Sequence, residues 1–137
     1  MNNPRYRSPN QYSKIRTQNK NEMLEDYVET ISELIILKGE ARNADLAKHF
    51  GVSQATINKN IKRLVALNLV KTEPYRSIFL TDKGQILADY CKKRHEIVYK
   101  FLIKIGVNSE TAKNDAEGLE HHVSAETLNV FEKYNKK

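Results

Sequence analysis

The sequence predicts a mostly α-helical protein in which a winged helix-turn-helix is followed by an all-helical domain. Three observations indicate this fold: two short amphipathic segments joined by a glycine turn, two short apolar segments resembling a hairpin, and helical apolar periodicity through most of the remaining chain. With 39% hydrophobic residues, the 137-residue chain can bury a core. We divide it into a flexible basic N-terminal arm (1–21), the winged helix-turn-helix (22–82) and a helical domain (83–137).

The predicted arm is polar and strongly basic. Residues 1–20 contain five basic residues and no acidic one, and they lack apolar periodicity. Because the formal net charge of the chain is +6, the remaining residues contribute only +1. Such an arm can follow the phosphates of a nucleic acid or can be a solvated tail, and the sequence leaves both alternatives open.

A helix-turn-helix is predicted after a first helix that runs from Glu22 to a glycine cap at Gly39. The first helix has one apolar face, formed by Met23, Tyr27, Ile31, Leu34 and Ile35. The next helix is short and ends at the turn residue Gly51. Ser53 is a good N-cap for the following helix, which we expect to extend to about residue 67. The cap, the turn and the apolar faces all favour the same motif.

The segments after this motif predict a wing and three further helices. Residues 69–73 and 77–81 are expected to be strands joined by a turn at 74–76. A long helix should then run from Asp82 to about Ile105, with Gly106 ending it, and another from Ser109 to about Val123. Ser124 is expected to cap a last helix. These C-terminal helices are too short to bury their apolar faces alone, which favours a homodimer.

The second helix of the motif carries side chains suited to reading double-stranded DNA. Glutamine and asparagine can pair with adenine edges, threonine can contact a thymine methyl, and lysine can hold phosphates. The candidate DNA contacts are Ser53, Gln54, Thr56, Asn58, Lys59 and Lys62, with Arg76 at the tip of the wing. The alternative is that this surface is only the solvated face of a helix.

Acidic residues and histidines cluster away from that helix. Asp26 and Glu29 are three residues apart, and Glu117, Glu120 and His121 have the spacing of one helix face. Neighbouring carboxylates repel each other, and a bound cation removes that cost. Solvated acidic helix faces have the same appearance, however, so spacing alone leaves metal binding open.

Cysteine content and apolar runs indicate the compartment. A single cysteine, Cys91, excludes an internal disulfide framework and suits a reducing environment. The longest apolar run in the first half, Leu34–Leu37, is too short to span a bilayer, and the polar N-terminus lacks a secretory signal. We therefore expect a cytoplasmic protein without a membrane partner.

Several short motifs resemble the diphtheria-toxin-repressor family, specifically its manganese-responsive branch. They are EDYVE at 25–29, GVSQAT at 51–56, RH at 94–95 and NDAEGLEHH at 114–122. The last is the most specific, and the resemblance extends from about Glu22 to the end of the chain. It implies a transcription regulator rather than an enzyme, with DNA binding in the winged helix and dimerisation and metal binding in the helical domain.

The resemblance also implies a metal site and a mode of action. The implied ligands are Asp26, Glu29, His95, Glu117, Glu120 and His121. Where the iron branch has methionine and cysteine, this chain has Asp26 and Glu117, and its oxygen-rich set suits Mn²⁺, with two ions per subunit expected. The implied partners are a second subunit and palindromic operator DNA of manganese-uptake genes. Because the chain ends at Lys137, the SH3-like domain of the iron branch is not expected.

Two other functions are compatible with parts of this sequence. A carboxylate-bridged di-metal enzyme would place its ligands inside a bundle of four long helices. The position of one carboxylate pair directly before a helix-turn-helix argues against that arrangement. A metal-independent winged-helix regulator of a small molecule is the second rival, and absence of Mn²⁺ binding would favour it.

Overall fold

The predicted fold class is confirmed by a computed structural model, which describes residues 8–73 and 77–137. These residues form six α-helices and a two-stranded antiparallel sheet. The elements are α1 (Pro9–Lys38), α2 (Asn43–Phe50), α3 (Gln54–Ala66), β1 (Val70–Thr72), β2 (Ile78–Leu80), α4 (Asp82–Lys104), α5 (Ser109–Leu119) and α6 (Ala125–Asn135). Within the described ranges, every helix is too short or too polar to cross a membrane.

The winged helix-turn-helix forms as the sequence predicts. Gly51 ends α2 with a positive φ of 67°, and the Ser53 hydroxyl accepts a hydrogen bond from the Thr56 amide at the start of α3. In the wing, Val70 pairs with Leu80 in antiparallel register. The core of this unit joins α1, α2, α3, the wing and the beginning of α4. Its buried members are Leu24, Tyr27, Val28, Ile31, Ala41, Leu46, Ile57, Ile61, Leu64, Leu69, Val70, Ile78 and Ala88.

The prediction of a flexible arm at residues 1–21 is wrong for its described part, because α1 already begins at Pro9. Ser8 and Gln11 form a reciprocal capping box: the Ser8 hydroxyl accepts from the Gln11 amide, and the Ser8 amide donates to the Gln11 side chain. Proline is favourable at the first helical position. Apolar periodicity fails here because this stretch has no core to face, and Tyr12 and Ile15 are exposed.

The long helix α4 belongs to both halves of the protein. Its first turn is fixed to the loop before β1, where the Thr81 hydroxyl donates to the Asn68 carbonyl at 2.7 Å. Gly84 packs so closely there that a Cβ atom would lie 2.0 Å from the Leu69 carbonyl oxygen. Further along, α4 packs with α5 and α6 around a second core. That core contains Ile97, Val98, Ala116 and Leu128, with Tyr99, Leu102, Val123 and Phe131 packed against it.

Helix α5 ends earlier than the sequence suggested. It was expected to reach about Val123, but it ends at Leu119, and residues 120–122 form a turn. The amides of His121 and His122 donate to carbonyls three residues back, as in the tight last turn of many helices. Glu120 and His121 therefore lie on this turn rather than on a helix face. The predicted cap at Ser124 is confirmed, and α6 follows it.

Candidate metal centre and nucleic-acid interface

A group of charged side chains lies between the two apolar cores, where α1, α4 and the turn after α5 meet. Its innermost members are unusually buried for their type: Glu120 is 1% exposed, His121 7% and Glu25 8%. Charged groups are rarely buried to this extent unless they are paired or hold a metal. These groups therefore have to compensate one another or hold a metal.

His121 is at the centre of this group. Its Nε2 atom lies 3.0 Å from Asp26 Oδ1 and 3.0 Å from Glu120 Oε1. Nevertheless, neither ring nitrogen has a well-aligned hydrogen-bond partner among the described residues. With metal–ligand distances of about 2.2 Å, between those of Mg²⁺ and Ca²⁺, adjacent ligand atoms of an octahedral ion lie about 3.1 Å apart. Each of the two carboxylate oxygens therefore lies about as far from Nε2 as neighbouring ligands of one dication would lie, and the buried imidazole fits the role of a ligand.

The remaining predicted ligands border the same region. Asp26, Glu29 and Glu117 line a cavity of about 340 Å³ between α1 and α5. His95 on α4 lies against this group, with its Nδ1 atom 3.3 Å from Glu117 Oε1. The His95 Nδ1 atom is also buried without an aligned hydrogen-bond partner in the described part of the chain. The structure thus brings all six residues singled out by sequence into one continuous group.

The electrostatics of this group reflect crowded carboxylates. Burial, together with the negative charges of Glu120 and Glu117, raises the pKa of Glu29 to about 8. Burial alone would lower the pKa of His121, but contacts with Asp26, Glu120 and Glu25 outweigh it and raise this pKa to about 12. Without metal, therefore, protons on Glu29 and His121 offset part of the negative charge. A dication bound by these two side chains would displace both protons.

Sequence reasoning gave no role in the site to Arg94 and Glu25. The Arg94 guanidinium donates to Glu25 and, through Nε at 2.8 Å, to Glu120 Oε2. Burial would raise the pKa of Glu25, but contacts with His121 and Cys91 and the charge of Arg94 lower it overall. Glu25 lies in the EDYVE motif and Arg94 in the RH motif. The sequence also shows that Cys91 and Arg94 are one helical turn apart, a spacing that places them on the same side of α4. Arg94 thus ties α1 to the turn that carries Glu120.

Cys91 takes part in this network rather than serving only as a small packed residue. It is fully buried, and its thiol donates to Glu25 Oε2 at 3.1 Å. Burial and the neighbouring Glu25 raise the pKa of this thiol well above its usual range. Cys91 is therefore a protonated hydrogen-bond donor.

The candidate DNA contacts on α3 are placed as expected on a solvent-facing surface. Gln54, Thr56, Asn58, Lys59 and Lys62 are all exposed, on the side opposite the buried Ile57, Ile61 and Leu64. Helix α3 contains no acidic residue. Ser53 is exposed as well, but its hydroxyl is engaged as the cap of α3 and contacts the Thr56 hydroxyl at 3.0 Å. Arg76 lies outside the described residues.

A cleft beside α3 is lined by two residues that were not among the candidate DNA contacts of the sequence analysis. It has a volume of about 760 Å³ and runs between the start of α2, α3 and the wing. Arg42 and Asn43 line it together with Gln54, Asn58 and Lys62. The Asn43 amide donates to the Asn58 side-chain oxygen, so one end of the Asn58 amide is already engaged. Their side-chain types, basic at position 42 and amide at position 43, are the ones that contact DNA and could have pointed to them.

Fold and site together define a class: a winged-helix DNA-binding protein whose DNA-reading unit shares a candidate metal centre with a second helical unit. Family profiles agree with both parts. Residues 21–78 match the N-terminal DNA-binding domain of iron-dependent repressors. Residues 81–137 match the metal-binding and dimerisation domain of the same proteins.

Individual relatives narrow the class further. The chain is 48% identical over 120 residues to the transcriptional regulator MntR of Salmonella typhimurium, covering 88% of this chain and 76% of that one. It is 46% identical over 126 residues to MntR of Escherichia coli, covering 92% and 81%. A manganese-dependent transcriptional repressor solved with manganese superposes with a TM-score of 0.71 at 26% identity, covering 82% of this chain and 52% of that one. The chain belongs to the diphtheria-toxin-repressor family, as a DNA-binding transcription regulator of the MntR type.

Proposed function

We propose that this protein is a manganese-dependent repressor that binds operator DNA as a homodimer when Mn²⁺ occupies the site between its two units. The observation that carries the proposal is the convergence of six potential ligands from α1, α4 and the α5 region. These residues are Asp26, Glu29, His95, Glu117, Glu120 and His121. The relatives named MntR and the manganese-bound repressor structure support the choice of metal.

The donor set favours Mn²⁺ over softer metals. Four carboxylates and two imidazoles form an oxygen-rich, hard set, and the protonated, buried Cys91 thiol contributes no thiolate. Carboxylates can bridge, so two ions per subunit fit the six side chains. Glu120 would offer Oε1, because Arg94 holds Oε2. When bound, the metal would supply positive charge that offsets the repulsion between the crowded carboxylates.

The mechanism is preorganisation of the DNA-reading helices. Asp26 and Glu29 lie on α1, a helix that contributes to the winged-helix core, whereas Glu117 and Glu120 belong to the helical unit. Ligands from both units around one site would restrict movement of one unit relative to the other. In a dimer, this restriction favours the separation of the two α3 helices that fits successive major grooves, about 34 Å.

On DNA, we propose that α3 enters the major groove of a palindromic double-stranded operator. Gln54, Thr56 and Asn58 would contact base edges, and Lys59 and Lys62 would hold phosphates. Arg76 is proposed to reach the backbone or minor groove from the wing. Exposed apolar side chains of the helical unit, including Leu119 and Val130, support a second subunit. We further propose that the protein acts in the cytoplasm and that its targets are manganese-uptake genes.

The test is DNA binding by the purified protein with Mn²⁺ and with a chelator, on a palindromic fragment of a manganese-transporter promoter. Parent protein should bind only with Mn²⁺. His121→Ala removes a central ligand and should abolish this metal dependence, whereas Glu126→Gln, at the exposed start of α6, should behave like the parent. Equal binding by the parent with and without Mn²⁺ would contradict the proposal.

A further inference from the structure

Glu22 is an acidic residue at the rim of the candidate metal centre that neither spacing nor resemblance singled out. It lies on α1, one helical turn before Asp26, so the two carboxylates share a face. Its Oε2 atom contacts His122 Nε2 at 2.9 Å. A carboxylate oxygen of Glu22, one of Asp26 and a ring nitrogen of His121 all lie within 4.8 Å of one another.

A second group of three potential ligands, formed by Glu25, Glu120 and His121, is deeper and equally compact. The Arg94 guanidinium, however, already donates to both Glu25 and Glu120 Oε2. A dication placed among these atoms would face a fixed positive charge and would have to displace buried hydrogen bonds. On the outer side of His121, towards Asp26 and Glu22, the neighbouring base is His122, which among the described residues pairs only with Glu22 and is part-exposed.

We propose that Glu22 is an additional carboxylate ligand of this centre, binding with Asp26 and His121 on its outer side. This inference rests on the proposed function. Ligand atoms of one octahedral ion with distances of about 2.2 Å lie between about 3.1 and 4.4 Å apart, so rotation of the two carboxylates towards His121 would bring this group around one ion. The buried His121 ring, without an aligned hydrogen-bond partner, faces this group. Glu22 is 30% exposed, so its side chain can turn from His122 to an ion.

Two variants separate a ligand from a simple ion pair. Glu22→Gln keeps the size of the side chain but removes the charge and should weaken Mn²⁺ binding about 10- to 100-fold, measured by calorimetry on the full chain. His122→Gln removes the partner of Glu22 and should leave Mn²⁺ affinity equal to or higher than that of the parent. Unfolding temperatures of both metal-free variants should remain close to the parent value, which shows that the fold is retained.

An affinity of Glu22→Gln within twofold of the parent would overturn the assignment. Equal weakening by Glu22→Gln and His122→Gln would also overturn it, because the residues would then act only as a pair that fastens α1 to the α5–α6 turn. His121→Ala keeps the two proposals apart. If His121→Ala loses Mn²⁺ binding while Glu22→Gln does not, only the role of Glu22 fails. If the parent itself does not bind Mn²⁺, the proposed function fails.

Discussion

Binding of Mn²⁺ at neutral pH should release close to two protons, one from Glu29 and one from His121. The pKa of Glu29 is raised to about 8 and that of His121 to about 12, so both groups are largely protonated at pH 7 before metal binds. Both shifts are upward, so the protons compete with the metal below these pKa values. Because two protons are released, the Mn²⁺ affinity should rise about 100-fold for each pH unit below pH 7. Above pH 8, where only His121 is still protonated, it should rise about tenfold per pH unit.

Proton release can be counted by calorimetry at pH 7 in buffers of different ionisation enthalpy. Parent protein should release nearly two protons per centre. The Glu29→Gln variant should release only one proton. Its Mn²⁺ affinity should be lower than that of the parent and should rise only about tenfold per pH unit at every pH below 8. Glu126→Gln, exposed on α6 and outside this centre, should match the parent. Release of fewer than one proton by the parent, or an unchanged count in Glu29→Gln, would refute this reasoning.

Three other predictions concern the fold and the DNA surface. Gly84→Ala should lower the free energy of unfolding by about 1–3 kcal/mol in urea denaturation, because its Cβ would meet the Leu69 carbonyl; Gly118→Ala, with open space around it, should not destabilise. Asn43→Ala should change the preferred base at one operator position in competition binding, since it frees the Asn58 amide; a uniform loss across sequences would contradict this. Deleting residues 1–20 should weaken DNA binding without changing the preferred sequence, flattening the plot of log K against log salt by about 0.9 per lost phosphate contact; an identical slope would show that this segment makes none.

Elements defined by local chemistry were predictable from sequence. The cap at Ser53, the left-handed turn at Gly51 and the apolar face of α3 are specified within a few residues, and the structure confirms them. The six proposed ligands lie in the EDYVE, RH and NDAEGLEHH motifs, and the structure places them in one region, while their role as ligands stays a prediction. Their convergence depended on packing along α4, which no single motif encodes.

Other features could not be predicted from the local sequence. The capping box of Ser8 and Gln11 was not predicted, because the absence of an apolar face after it pointed to a flexible arm. Glu117, Glu120 and His121 were expected on one helix face, but α5 ends at Leu119 and the last two residues lie on the following turn. Long-range contacts were missed altogether: Arg94 meets Glu25 from 69 residues away, and the carboxylates around His121 raise its pKa far above that of a free imidazole.

In the proposed mechanism, metal binding selects one separation of the two α3 helices. This selection can be tested by single-molecule energy transfer between dyes attached at Val65→Cys in each subunit of the dimer. Val65 is exposed on α3, whereas the native Cys91 is buried with a raised thiol pKa and should not react. With Mn²⁺, the distance distribution should narrow; without Mn²⁺, or in a His121→Ala background, it should remain broad. An identical distribution with and without Mn²⁺, in a protein that still needs Mn²⁺ to bind DNA, would contradict preorganisation.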